Sequence, residues 1–392
     1  MKPDQFVIPP GCLYLAGHSL GPSPKAAAAA LDQTLHAHWG ARGVRAWNDA
    51  DWITLAERVG AQIAAILRVK PDEVIVADSV SVNLFKLIVA ACAAQPDRNE
   101  ILVEADDFPT DAYVAESAAK ALGKHVVLAP RQGLGAKATR QTAVVVTSHV
   151  HYRSAHRQHM AAMNSQAATV GAPVIWDLSH STGAVDVDLK AESAHLAVGC
   201  GYKYLSGGPG APGYLYISQA MQRLLRNPIA GWMGCADPFA FAQRYTAKPG
   251  AAAFAAGTPP ILSLVALEAG VALAASVDPA ALEAQAAAAS QAFIAALSPK
   301  EQQGGLTRAS PYSADERGAH VAYRHPNAYA IVQALAERNV IADFRAPDVM
   351  RFAFAPLYIS TDQARAAAAA LVQVLDSGAY KDKRFSQASV VT

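Results

Sequence analysis

At 392 residues, 52% of them hydrophobic and 17% charged, the chain has a globular composition with room for two domains and a large core. A net charge of +1 leaves no basic footprint for nucleic acid and no polybasic segment for anionic lipid. Small molecules or other protein chains are the expected partners.

The first residues, MKPDQFVIPPGCLYLAGHS, lack the long apolar core of a signal peptide, and Pro3, Pro9 and Pro10 interrupt them. No run of about 18 uncharged apolar residues suggests a spanning helix. Cys12, Cys92, Cys200 and Cys235 lie far apart and form no CxxC pair, which argues against both a zinc knuckle and a disulfide scaffold. A reducing cytoplasm is the expected location.

From Pro22 to Gly40 the alanine-rich sequence reads as a helix, with prolines where a first turn tolerates them and a glycine at the end. Trp47 and Trp52 follow in a polar-aromatic connection. They read first as core anchors, with the walls of a flat ligand site as the alternative. From residue 70 strands and helices alternate. Strands are expected at 74–77, 100–105, 125–130, 142–150, 173–181, 195–200 and 213–217. Helices fall between them, capped by Ser79 or Ser81 in one case and ended by Gly123 in another. That order predicts an α/β fold with a mostly parallel sheet covered on both faces. Past residue 250 a Gly-Thr-Pro-Pro turn feeds an apolar helix. Further helices at 279–297 and 362–376, with strands at 320–325 and 350–356, form a smaller α+β unit. Residues 298–318 read as a surface loop and those after 378 as a polar tail. The expected division is an N-terminal segment (1–44) joining the small domain, a large domain (45–255) and a small C-terminal domain (256–392).

Ligands of such sheets bind at the carboxyl ends of strands. Ser81, Phe108, Asp111, Ser148, Asp177, His180 and Lys203 all stand at or just past those ends. Lys203 lies between two tyrosines, before a glycine-rich turn. Either it reaches out to solvent, or its amine is desolvated and forms a Schiff base with a carbonyl cofactor. The cofactor that uses such a lysine is pyridoxal 5′-phosphate (PLP). It needs a carboxylate for its pyridine nitrogen, and Asp177 suits that role unless it only caps a turn. It needs backbone N–H groups at a helix start for its phosphate, where Val80 and Ser81 stand. It also needs a flat or apolar face, from Phe108 or His180. No Walker loop, GxGxxG or HExxH is present. The pairs His149/His151 and His156/His159 have no carboxylate or cysteine at ligand spacing, so no metal is expected.

The chain also carries YLAGHSLG (14–21), WGARGVRAWN (39–48), SVSVNLFK (79–86), FPTD (108–111), SHVHYRS (148–154) and WDLSHSTGAVDVDL (176–189). GYKYLSGGPG (201–210), GWMG (231–234), GTPPI (257–261) and MRFAFAPLY (350–358) complete the series. Over nearly its whole length it resembles the kynureninases, especially bacterial ones, which are PLP enzymes of the aspartate-aminotransferase-like fold type I. The resemblance implies that Lys203 holds the cofactor, Asp177 pairs with its pyridinium, and Phe108 stacks on the ring with His180 close by. It places Val80, Ser81, Pro109, Thr110, Asp111 and Tyr202 around the phosphate and its anchors, and Ser148 near the ring hydroxyl. Trp232 and Thr258 would reach in from the second subunit of a homodimer. Arg351 would grip the substrate α-carboxylate, and Ser19 and Trp47 would line the aryl-ketone end. The implied reaction is hydrolysis of the Cβ–Cγ bond of L-kynurenine or 3-hydroxykynurenine in tryptophan catabolism, with Tyr202 transferring a proton.

The chain departs from the resemblance at Ala16 and His18 where DGNS is usual, at His151 for an asparagine, at Ser154-Ala155 for Thr-Gly, and at Cys235 for a histidine. These positions fall near the substrate pocket, so a ring-modified kynurenine or another γ-keto amino acid stays open as substrate. An aminotransferase of the same fold shares these motifs and also stays open, as does a degenerate PLP-binding regulatory protein. A cysteine desulfurase is disfavoured, because no cysteine follows Cys235.

Overall fold

In the computed structural model, residues 1–385 are described. The strands, in chain order, are Leu13–Tyr14 (β1), Val74–Val76 (β2), Glu100–Glu104 (β3), His125–Ala129 (β4), Thr142–Ser148 (β5), Val174–Asp177 (β6) and Leu196–Cys200 (β7). They continue with Gly213–Ile217 (β8), Thr307–Arg308 (β9), His320–Arg324 (β10), Val340–Ile341 (β11), Asp343–Arg345 (β12) and Val349–Ala353 (β13). Seven of these form one sheet in the order β2-β8-β7-β6-β5-β3-β4. Its β3, β4, β5, β6 and β7 run parallel, while β8 is antiparallel to both β7 and β2.

The sheet forms because its strands can be buried on both faces. Alternate residues go to opposite sides: Val145, Trp176, Ala197 and Tyr214 join one apolar core, and Val144, Val146, Ile175, Val198 and Leu215 the other. Helices Val80–Ala93 and Pro109–Leu122 cover the second face. The first face merges with the core of the C-terminal unit, where Phe293, Phe352 and Phe354 pack ring against ring.

The smaller sheet runs β12-β13-β10-β9, all antiparallel. The N-terminal segment belongs with it, since β1 pairs in parallel with β11. Two expectations need correction. The helix expected to end at 297 runs on to Gln302, and Thr307–Arg308 then pairs with β10, so 298–318 is only partly loop. Its glycines and charges read as solvent-facing, yet Arg308 pairs with Glu301 and stacks on Tyr312, and Arg317 is buried against the carbonyls of Pro311 and Tyr312. The tail read from 378 also contains two helical turns, Ala379–Lys381 and Lys383–Phe385, with the Phe385 ring buried. The rest of that tail, 386–392, lies outside the described residues.

Two contacts fix the glycine-rich loop 201–212, which reverses the chain between β7 and β8. Gly213 N–H donates to the Asp78 carbonyl and its own carbonyl accepts from Ala77 N–H, so the loop's end is bolted to the start of helix Val80–Ala93. On its other side, helix Ile261–Ala275 lies against the loop backbone at Gly270, where a Cβ would stand 2.1 Å from the Leu205 carbonyl oxygen. Gly270→Ala must therefore push helix and loop apart. We expect a loss of roughly 1–3 kcal/mol of stability, read as a lower midpoint in chemical denaturation. An unchanged midpoint would mean that this contact is not a fixed one.

Candidate active site

Ten of the expected residues line one cleft at the carboxyl edge of the large sheet: Val80, Ser81, Phe108, Thr110, Asp111, Ser148, Asp177, His180, Tyr202 and Lys203. Ser148 and Asp177 end the adjacent parallel strands β5 and β6, and their Cα atoms are register partners. Lys203 lies three residues past the end of β7, on the reversing loop, with its Nζ 3.4 Å from His180 Nε2. The N-terminal segment packs on the back of that loop. Gly21 N–H donates to the Tyr202 carbonyl, and a Cβ at Gly21 would stand 2.3 Å from the Lys203 carbonyl.

Helix Val80–Ala93 presents its amino end to the cleft. Ser79 caps it by accepting from Val82 N–H at 3.3 Å, leaving the first N–H groups directed outward. A Cβ at Gly213 would come within 2.9 Å of Val80 N, so β8 begins against that helix start only because it begins with glycine. Phe108 is 47% exposed and meets Tyr152 edge to face at 5.4 Å, which leaves one face of its ring free in the cleft.

Burial dominates the electrostatics. It holds the Asp177 carboxyl above its ordinary range, opposed by the Lys203 ammonium and by the Ser179 N–H at 2.7 Å. It also raises Asp111 well above that range, reinforced by Asp177 and Asp107, and Asp111 Oδ2 has no hydrogen-bond partner. His180 is pushed well below its ordinary range by burial and then by Lys203, so it is neutral at pH 7. The Tyr202 phenol is driven up by burial, then by Cys200 and Asp177, and stays protonated.

Three expected residues are outside the cleft but near each other or its edge. Pro109 opens helix Pro109–Leu122 between two lining residues. Ser19 and Arg351 meet behind the cleft, with Arg351 Nη2 3.0 Å from Ser19 Oγ. Arg351 does not present a free fork. It is 1% exposed and bonded through Nε and Nη2 to both oxygens of Asp343, at 2.8 and 2.5 Å. Trp47 packs edge-on against the buried Trp52, which favours the core reading. Trp232 meets Phe239 edge to face at the surface, and Thr258 lines a separate groove with Gly257, Pro259 and Pro260.

Several residues of this region were not singled out from sequence. Asp107 accepts from Phe108 N–H, Ser148 N–H and Ser148 Oγ, fixing both neighbours at once. Tyr152 lines the cleft, and its carbonyl accepts from Arg351. His18 and His320, both fully buried, stack at 5.0 Å beside His180, and no ring nitrogen of His18 or His320 has a hydrogen-bond partner. The substitution pattern at His18 was the only sequence signal for this stack.

The histidine pairs prove to have carboxylates nearby, contributed from another strand end. Donor atoms of Glu104, Asp107 and His151 lie within 4.8 Å of one another. Those atoms are already engaged, Glu104 by Arg131 and Thr147, and His151 Nε2 by the Asp106 carbonyl. His149 and His156 likewise bond Ser181 and Arg131.

The fold resembles solved PLP enzymes. The cysteine desulfurase of Thermococcus onnurineus NA1 superposes with a TM-score of 0.78 at 17% identity, over 93% of this chain and 95% of that one. A variant of the lyase C-DES, with glycine covalently linked to its PLP cofactor, gives 0.80 at 18%, over 95% and 99%. Together with the sheet order and the lysine-aspartate cleft, this defines the architecture as fold type I of the PLP-dependent enzymes. Sequence goes further. The kynureninase of Pseudomonas fluorescens is 38% identical over 397 residues, covering 99% of this chain and 95% of that protein. That of Deinococcus radiodurans is 40% identical over 381 residues, covering 96% and 93%. The family model for the kynureninase C-terminal domain matches residues 282–371. The chain belongs to the kynureninase family.

The His18 imidazole gives a pH test. Burial lowers it from 6.5 to about 4, so between those values the unfolded chain binds a proton that the folded chain refuses. Stability from His18 is therefore full above pH 6.5 and lost as pH falls towards 4, by about 3 kcal/mol. Glu104, raised to about 7 by burial and Asp107, acts in the opposite sense, so the comparison must be differential. Relative to wild type, His18→Asn should remove up to one proton from the pH dependence of urea unfolding in that window. Parallel curves would contradict the burial of a neutral His18.

Proposed function

We infer that this chain is a PLP-dependent kynureninase that hydrolyses the Cβ–Cγ bond of L-kynurenine to anthranilate and L-alanine. The observation that carries this reading is the meeting of Lys203, Asp177 and the start of helix Val80–Ala93 in one cleft of a chain that belongs to this family. The cleft suits the cofactor. Asp177 is a buried carboxylate whose charge only Lys203 and the Ser179 hydrogen bond offset, Asp111 Oδ2 is unpartnered, and Gly213 opens space against the Val80 N–H. Asp177 would hold the pyridine nitrogen, while Val80, Ser81, Thr110 and Tyr202 would hold the phosphate. Phe108 and His180 would face the ring, and Ser148 would meet its hydroxyl.

Bound PLP supplies the electron sink that makes Cα acidic and stabilises the pair left on Cβ. Lys203 would be the base that takes the Cα proton, and neutral His180 beside it would not compete by charge. Asp177 keeps its partner nitrogen protonated, since a cation there offsets the cost of its own burial. One water adds to the γ-ketone and leaves as part of the anthranilate carboxylate. Tyr202, kept as a phenol by its surroundings, delivers the proton that Cβ receives.

The site is completed by a second copy of the chain. One chain's cleft measures about 140 Å³, against the roughly 300–1,000 Å³ usual for ligand sites. Trp232, Phe239, Phe241 and Tyr245 form an exposed aromatic strip of the kind that a partner covers. Trp232 and Thr258 thus serve the partner's cleft in a homodimer. The protein works in the cytoplasm, where its four free cysteines stay reduced.

PLP-loaded protein given L-kynurenine without any keto acid should release fluorescent anthranilate. Parallel assay of 3-hydroxykynurenine sets the ring preference. Lys203→Ala should lose both the visible absorbance of the bound cofactor and product release; retention of both would sink the assignment. Refolding Lys203→Ala chains together with Trp232→Ala chains should restore activity that neither has alone, because one of the mixed sites is intact. No rescue in a mixture shown to contain the heterodimer would contradict the shared site.

A further inference from the structure

Two strand ends are tied together by Asp107. It lies in the connection between β3 and helix Pro109–Leu122, and it reaches Ser148 at the end of β5, the strand paired with β3. Its Oδ1 accepts from Phe108 N–H at 2.8 Å and its Oδ2 from Ser148 N–H at 2.6 Å, while the Ser148 hydroxyl stands 2.8 Å from Oδ1. A carboxylate that receives two backbone N–H groups has only lone pairs to offer a third neighbour. The one proton of the Ser148 hydroxyl is therefore committed to Asp107, in a charge-assisted bond stronger than a neutral one.

What Ser148 can still offer the cleft follows from its valence. A serine hydroxyl has one O–H and two acceptor positions. The O–H points to Asp107, and Arg131 Nη1 approaches one acceptor position at 3.3 Å. One lone pair remains, on a side chain that lines the cleft. A ligand oxygen placed against Ser148 must then bring its own proton. Arg131 cannot take over the part of Asp107, because a guanidinium only donates. It is itself fixed by Glu104, His156 and the carbonyls of His149 and His156. Asp107 and Ser148 are both buried, so the arrangement is built into the wall of the cleft.

We propose that Asp107 is a positioning residue that fixes the Ser148 hydroxyl as an acceptor, so that the cleft favours a cofactor ring hydroxyl that keeps its proton. This rests on the reading of the cleft as a PLP site in which Ser148 meets that hydroxyl. In the loaded protein one proton is shared between the ring oxygen and the imine nitrogen that Lys203 supplies. A lone pair facing the ring oxygen favours the tautomer with the proton on oxygen, and a hydroxyl proton facing it favours the other. Asp107 thus acts on the resting place of that proton through Ser148, a role that no sequence motif suggested.

The two tautomers absorb at different wavelengths, the one protonated on oxygen at the shorter. The ratio of the long- to the short-wavelength band, taken at one fixed pH on PLP-loaded protein without substrate, therefore reads the bias. In Asp107→Asn the amide nitrogen should take the Oδ1 position, where it gains a donation to Ser148 Oγ; at the Oδ2 position it would only face the Ser148 N–H. The Ser148 proton is then released to the cleft, and the ratio should rise by about threefold or more. In a Ser148→Ala background the same change should leave the ratio unaltered, because the coupling runs through the lost hydroxyl. An unchanged ratio in loaded Asp107→Asn would overturn the proposal, as would a rise that persists in the Ser148→Ala background. If Asp107→Asn takes up no cofactor, Ser148→Ala alone decides. Loss of an acceptor should raise the ratio, and an unchanged or lowered ratio would overturn the proposal. Cofactor content per chain and anthranilate release by the wild-type protein test the PLP and kynureninase readings separately, so their failure is distinguishable from failure of this one.

Discussion

The site depends on the hydrogen bonds that bolt Gly213 to residues 77 and 78. They oblige the chain to turn back after β7 and enter β8 antiparallel, directly against the start of helix Val80–Ala93. A parallel continuation would have carried residues 201–212 away over a helix. The reversal instead keeps Lys203 at the sheet edge, opposite Asp177 and next to helix N–H groups that have no partner within the helix. Because Gly213 has no Cβ, the approach is close enough for a phosphate to be held between strand and helix.

Around that frame the polar groups are buried well beyond ordinary stability needs. Asp111 and Asp177 have raised carboxyls, His180 and His320 have depressed imidazoles, and both ring nitrogens of His320 lack hydrogen-bond partners. Each costs folding free energy, and Asp111, Asp177 and His180 line the cleft, where a cationic ring nitrogen or a phosphate would offset that cost. Ligand binding and stability are thus expected to be strongly linked in this protein.

Much of this was legible in the residues. The strand ends and the helix starts at residues 80 and 109 followed from two-residue alternation, β-branched content and capping serine or proline. Lys203, Asp177 and Ser148 could be aligned because parallel strands place their last residues on one edge. What sequence could not reveal was pairing across distance. Asp343 lies 324 residues from Ser19, and nothing in local spacing says that it would occupy the Arg351 fork. The carboxylates beside His151 were missed for the same reason, since Glu104 and Asp107 arrive from the end of β3. The segment 298–318 was misread because Arg308 and Arg317, whose charges usually signal solvent, turn inward onto Glu301 and Tyr312 and onto the Pro311 and Tyr312 carbonyls.

The most direct test of the account is to reduce the PLP-loaded protein with borohydride, digest it and locate the pyridoxyl label by mass spectrometry. The label should sit on Lys203 alone, with one label bound per chain. A label on any other lysine, or a loaded protein that reduction leaves unlabelled, would contradict the assignment on which the cleft and its chemistry are built.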